Sequence, residues 1–240
     1  MRTVINESIM KHCKIFLVLS LALVLTGLAS SAEAVAFTRD FFIEQCTFSS
    51  TGRNTYFILE PGHKLVLEGF EGAEEVKLVI TVLDATETVD GVETRVVREV
   101  ETKDGELVEI SRNFFAICNE TGNVFYFGEE VDIYEDGVVV SHEGAWRVGQ
   151  NGAKPGVIMP GSPMLGAKYF QEIAPGVAMD RAEVMQLNAV VGTPAGIFQR
   201  CLKTKETTPI EPDAKEFKFY APGIGLVAEK TLFLTNVVTP

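Results

Sequence analysis

From about residue 64 onward the chain alternates between apolar and polar positions. Val76, Leu78, Ile80 and Val82 share one face of an extended segment, with Lys77 and Thr81 on the other, the period of two that marks a strand. Val92, Thr94, Val96 and Val100 repeat the pattern against Glu93, Arg95 and Glu99. Asp90-Gly91, Asp104-Gly105, Thr121-Gly122 and Asp136-Gly137 separate such runs. Asp-Gly suits a two-residue hairpin turn because both of its residues tolerate positive φ. The pattern predicts strands over 64–69, 76–84, 92–101, 106–117, 123–127 and 138–142, joined as an antiparallel meander.

The second half is punctuated by Pro155-Gly156, Pro160-Gly161, Pro175-Gly176 and Pro222-Gly223. Between these breaks the sequence predicts strands over 166–172, 181–190, 197–204, 215–220 and 225–233. Ala178, Ala182, Met185 and Ala189 would also suit a helix, but strand is the preferred reading of that stretch. The Pro-flanked segment 159–164 is expected to plug one end of the sheet. No linker or fixed repeat divides residues 35–240. The expected fold is therefore mainly β, a single domain whose antiparallel meander forms a curved sheet or open barrel.

The first residues read differently. Met10-Lys11-His12-Cys13-Lys14 precedes an apolar run from Ile15 to Leu28 and small residues ending in Ala32-Glu33-Ala34. Charge, apolar core and small-residue cleavage site are the order of a secretory signal peptide, read here as residues 1–34. The run is short for a membrane span, which needs about 20 residues. Met10 is the more conventional start of such a peptide, so residues 1–9 read as a start-site artefact. Leu25-Thr26-Gly27-Leu28 has Leu where a lipoprotein's acylated Cys must stand, so no membrane anchor is expected after cleavage. The expected location is periplasmic or secreted.

Export places the chain where disulfides persist. Cys46, Cys118 and Cys201 remain after cleavage. Three thiols allow three single bridges and always leave one over, so one bridge and one inert buried thiol are expected. The chain carries 21 Lys+Arg against 33 Asp+Glu, a net charge of -12. Cleavage removes Arg2, Lys11 and Lys14 with Glu7 and Glu33, deepening the charge by one. That balance excludes a nucleic-acid module, which needs a basic stripe, and a polybasic membrane-surface protein.

Two metal chemistries have candidate residues. Asp132, Asp136 and Glu143 stand at positions 1, 5 and 12 of a calcium-loop pattern, with Gly137 at 6. Position 3 is Tyr134, a poor ligand for a hard cation, and the flanks read as strands, so a hairpin turn at Asp136-Gly137 explains the same letters. Met159, Met164 and His142 could offer soft donors to Cu(I). The competing explanation is that Met fills irregular core gaps. No cofactor is expected.

Enzymatic signatures are thin. His63 follows Pro61-Gly62 and reads as a turn residue, and no G-x-S-x-G elbow, H-E-x-x-H or phosphate loop is present. Carboxylate pairs such as Glu129-Glu130 read as solvated strand surface. Asn119-Glu120-Thr121 is a glycosylation sequon in form, which the adjacent turn also explains. Phe114-Phe115 and Phe125-Tyr126-Phe127 place rings on both faces of their strands, because neighbouring side chains point to opposite faces. One face must cover a second layer built from the 150–200 loops, a partner, or an apolar ligand.

A run of motifs carries a resemblance. Gly144-Ala-Trp146-Arg-Val-Gly149 leads through Pro155-Gly-Val-Ile-Met159-Pro160, Tyr169-Phe-Gln171-Glu172, Pro175-Gly-Val-Ala178, Thr193-Pro-Ala-Gly196-Ile-Phe198 and Cys201-Leu-Lys-Thr204 to Tyr220-Ala-Pro-Gly-Ile-Gly-Leu-Val227. Over roughly residues 53–230 this resembles a group of uncharacterised exported bacterial all-β proteins. Its last motif is similar to the final hairpin of several periplasmic β families, some with a curved sheet like that of lipoprotein carriers. The resemblance implies export and β architecture and specifies no chemistry. Cys46 and its Ser/Thr-rich surroundings depart from the pattern.

The expected function is an exported non-enzymatic protein that binds an apolar or amphipathic small molecule, or an envelope protein, in a curved sheet. The alternatives are a carboxylate-dependent hydrolase and a calcium- or copper-binding module.

Overall fold

The computed structural model describes residues 36–240; the expected signal peptide lies outside them. A single 3-10 turn, Ile43–Gln45, precedes sixteen strands. They are β1 (Phe48–Ser49), β2 (Lys64–Glu71), β3 (Glu74–Val89), β4 (Val92–Lys103), β5 (Glu106–Cys118), β6 (Val124–Glu135), β7 (Val138–Ser141) and β8 (Trp146–Arg147). The second half adds β9 (Lys154–Met159), β10 (Lys168–Phe170), β11 (Glu172–Ile173), β12 (Arg181–Thr193), β13 (Gly196–Thr207), β14 (Lys215–Ala221), β15 (Gly225–Glu229) and β16 (Leu232–Val238).

The main path runs β10-β12-β13-β14-β15-β16-β2-β3-β4-β5-β6-β9-β11, with antiparallel pairing throughout. Its two ends are pieces of one stretch of chain, Lys168–Ile173, separated only by Gln171. β10 bonds to β12 and β11 bonds to β9, so this stretch draws the edges together and the sheet is nearly closed into a barrel. The seam depends on Gly156: a Cβ there would meet the Gln171 carbonyl carbon and oxygen at 2.4 Å.

The hairpin turns follow from sequence. Asp90-Gly91, Asp104-Gly105 and Asp136-Gly137 each have φ positive at both residues, the conformation that matches the twist of two-residue hairpins. Residues 181–193 form a strand rather than a helix. The run expected over 225–233 is two strands, because the chain turns at Lys230, whose φ is 44°. Bulges interrupt the β3–β4 ladder between Val82 and Thr86 and the β5–β6 ladder at Phe114/Phe115, and such insertions bend strands as barrel closure requires.

The rings on both faces of β5 and β6 have two separate covers. Phe115 and Tyr126 face the barrel interior. Phe125 and Phe127 are buried on the outer face, where Phe48 packs edge-on against both at 5.6 and 5.2 Å and Phe41 meets Phe125 at 5.9 Å. The outer cover therefore comes chiefly from the segment before β2, and not from the 150–200 loops that the sequence offered as one of three covers. The Cys46–Cys118 disulfide pins that segment to the end of β5. Cys201 is free and buried. The bridge and the leftover thiol agree with the sequence expectation, and the bridge fits an exported protein.

Segment 159–164 does not plug the barrel: Met164 is 69% exposed, whereas Met159 is buried in the wall. The end of the barrel is capped instead by residues 50–63, which carry buried Tyr56, Ile58 and Leu59. Arg95, read from sequence as a solvent-facing residue, is buried beneath this cap. Its Nε donates to the Ser50 carbonyl and its Nη1 to the Asp84 carbonyl, both at 2.8 Å. It thus ties the cap to the bulge in β3.

Candidate functional site

The barrel encloses a cavity of about 280 Å³. Its composition is set by the inward positions of each strand, and these change character along the barrel axis. On β5 the inward residues run Phe115, Asn113, Ser111, Glu109 from the capped end outward, on β4 Val97, Glu99, Glu101, and on β14 Tyr220, Lys218, Glu216. One strand period thus carries an apolar end into an acidic one.

The capped end is built from Phe57, Ile58, Phe115, Tyr126 and Trp146 with Ile80, Val82 and Ile158. Phe57 meets Phe115 edge-on at 5.2 Å, and Trp146 meets Tyr126 at 5.1 Å. Tyr126 donates its hydroxyl to Asn113, and Asn113 donates to Ser111 Oγ at 3.0 Å. His63 closes the Glu60–His63 turn, its backbone N–H donating to the Glu60 carbonyl at 3.1 Å as the sequence suggested, and its side chain is buried here. Its Nε2 lies 2.9 Å from the Ile224 carbonyl. Burial lowers its pKa first, ahead of that bond's opposing effect, so at neutral pH Nε2 carries the proton and Nδ1 is a bare acceptor without a protein partner.

The acidic end gathers Glu99, Glu129, Glu172, Asp180 and Glu206 with one cation, Lys218. Glu99 and Lys218 are partly buried, and Lys218 lies where the chamber meets the surface. Burial pushes Glu99 up to about 8, with the Glu229 charge adding to it. Burial likewise raises Glu129 to about 7, with the Glu109 charge adding to it. Glu172 is held well above the carboxylate range by burial and then by Asp180, and burial also raises Asp180, Glu109 and Glu216. The common cause is the loss of water around the charged form of each group.

Lys218 behaves oppositely. Burial alone would lower it, but Glu206, Glu229, Tyr220 and Glu216 outweigh that and hold its ammonium well above the usual lysine value. Its Nζ lies 3.3 Å from both Glu206 and Glu229. Among the described residues no Lys, Arg or His lies within 4.0 Å of the carboxylates of Glu99, Glu129, Glu172 or Asp180. An open surface depression bordered by Lys215, Glu216 and Lys230 shares Asp180, Glu206 and Lys218 with the chamber, so the chamber's mouth is at the acidic end.

The metal candidates are placed apart from this chamber. Asp132 is paired with Arg112 at 3.0 Å and with His142 at 3.0 Å, Asp136 sits in the β6–β7 turn, and Glu143 follows β7. Their ligand atoms do not converge. Among the described residues the group of His, Cys, Asp and Glu atoms close enough to share an ion is Cys46, Cys118 and Glu120, and its two sulfurs form the disulfide. Met159 is paired with Val124 at one end of β6, while His142 bonds the Val131 carbonyl. At about 3.3 Å per strand residue, those points are roughly 20 Å apart. Met164 lies exposed outside the barrel.

Sequence reasoning missed most of the chamber. It read Glu99 and Glu129 as solvent-facing because acidic residues at alternating positions describe a polar outer face equally well. The available signal was the outward drift of the inward set, Phe115 to Glu109, which an ordinary two-sided strand does not show.

No family model matches the chain, and no curated protein matches it. A solved structure, a putative lipoprotein from Parabacteroides distasonis, is similar at 14% identity and a TM-score of 0.40, over 78% of this chain and 100% of that one.

Proposed function

We propose that this protein is an exported, non-enzymatic binder of a small amphipathic molecule, held inside the barrel with its apolar part under the cap. The observation that carries this reading is the chamber itself: about 280 Å³, aromatic at one end and carboxyl-lined at the other. Ligand cavities run from roughly 300 to 1,000 Å³ and combine apolar walls with a few convergent polar groups. This volume, just below that range, favours a compact molecule over a long acyl chain. Native mass spectrometry of the protein purified without denaturation tests the reading. A discrete small-molecule adduct, removed by urea and restored by adding back the extract, supports it; protein that never carries or regains an adduct counts against it.

A carboxylate-dependent hydrolase is the second reading, favoured by Glu129 titrating near 7 on the cavity wall, the range of a general acid. Turnover of an ester or glycoside that Glu129→Gln abolishes would select it.

A further inference from the structure

The acidic end holds more carboxyl groups than cations. Lys218 is committed to Glu206 and Glu229, leaving buried Glu172, partly buried Glu99 and Glu129, and exposed Asp180 around the chamber with no cation within 4.0 Å among the described residues. A second observation is independent of their acidity. Gln171, only 2% exposed, donates its Nε2 to Glu206 at 3.1 Å, which fixes its amide head at this end, and its Oε1 has no protein partner. His63 Nδ1, at the capped end, is a second unpartnered acceptor in the wall. Buried acceptors left unpaired are costly and point to a donor from outside the chain.

What donor fits can be narrowed. A single metal ion does not, because these carboxylates come from different strands and their ligand atoms do not cluster within reach of one ion. An anionic ligand would add charge to a wall already short of cations. The remaining class carries several N–H donors on a positive head, with an apolar body for the Phe57, Phe115 and Trp146 end, where aromatic faces also attract cations.

We propose that the ligand of this chamber is a small organic cation, an amine on an apolar or aromatic body, whose N–H groups bond to the Glu99, Glu129 and Glu172 end. This rests on reading the chamber as a binding site. It has a proton consequence. Glu99 faces charges from Glu229, Lys218, Glu129 and Glu109, and Glu129 those of Glu109 and Asp180; Glu172 is set by Asp180, Glu206 and Glu129, and Lys218 by Tyr220 and Glu216 besides its two partners. An arriving ammonium replaces protons on these carboxyls, so binding releases protons and tightens as pH rises toward 8.

The test uses phenylalkylamines with one to four methylenes, each beside its matching alcohol and carboxylate, titrated calorimetrically into the mature protein at pH 6 and pH 8 in two buffers. Amines are expected to bind at least about tenfold tighter than the alcohols at pH 8, a difference equal to one pK unit. They should also release protons at pH 6, and lose most of the preference in Glu99→Gln and Glu129→Gln, which remove a buried charge without changing shape. Alcohols or carboxylates binding as well as amines would overturn the cation inference while leaving the binding reading standing. Binding by no member of the three series would overturn both.

Discussion

Lys218 on β14 stands directly opposite Glu229 on β15, its Nζ 3.3 Å from the carboxylate, and reaches Glu206 on β13 at the same distance. A single ammonium thus joins three adjacent strands inside the barrel. Removing one member of a buried ionic group leaves the others uncompensated and costs about 3–5 kcal/mol. We expect Lys218→Met to destabilise the protein by about 3 kcal/mol at pH 7, measured by urea unfolding. The loss should shrink in acid, where the orphaned carboxylates take up protons. Equal loss at both pH values would show that the ammonium acts by packing rather than charge.

Glu99 gives stability an unusual pH dependence. Its carboxyl is pushed up to about 8 in the folded chain from the 4.5 of a freely solvated glutamate, so between those values the folded state holds a proton that the unfolded state has already lost. Stability from this group is complete below about pH 4.5 and falls as pH rises toward 8. Unfolding free energy should therefore decline across that window by an amount on the order of a few kcal/mol, and Glu99→Gln should flatten the decline. A stability curve unchanged by that variant would contradict the burial of this carboxyl.

The disulfide closes a loop of 72 residues between Cys46 and Cys118. On the chain-entropy description, a loop of this length contributes about 4 kcal/mol. The double variant Cys46→Ala, Cys118→Ala should lose that amount and expose Phe125 and Phe127, since Phe48 loses its tether. The midpoint of denaturant unfolding with and without reductant measures the effect. Resistance to reductant would mean that the outer cover is held by Phe41 and Phe48 alone.

Much of the framework is legible in the sequence because its determinants are local. Asp90-Gly91, Asp104-Gly105 and Asp136-Gly137 mark turns whatever surrounds them, and the alternation around Val76–Val82 marks a strand with its inner face correctly chosen. The chamber is harder to read because a strand's two faces are distinguished only by what they pack against. Glu99 and Glu129 became interior when the sheet closed, and closure depends on the remote meeting of β9 with Lys168–Ile173. The cap escaped notice for a similar reason: Tyr56 to Leu59 form an apolar run without strand alternation, buried only because they lie across the barrel end.

Gly156 tests that closure. A methyl group there would collide with the Gln171 carbonyl, and overpacking of this kind costs typically 1–3 kcal/mol. Gly156→Ala should destabilise by about 2 kcal/mol and accelerate amide exchange in residues 168–173. Gly192→Ala, where an added Cβ meets nothing within 4 Å, serves as the control. Equal exchange in both variants would contradict the seam.

Trp146 is the chain's one tryptophan, and it lies in the chamber wall with its indole N–H unpartnered. Its emission, followed while phenylalkyl compounds are titrated into the mature protein, reports directly on whether the interior takes up a small amphipathic molecule. The expected result is a saturable one-to-one change that Val97→Phe, which fills the chamber from β4, abolishes. Emission that stays constant or drifts linearly with added compound, identically in both proteins, would contradict the account.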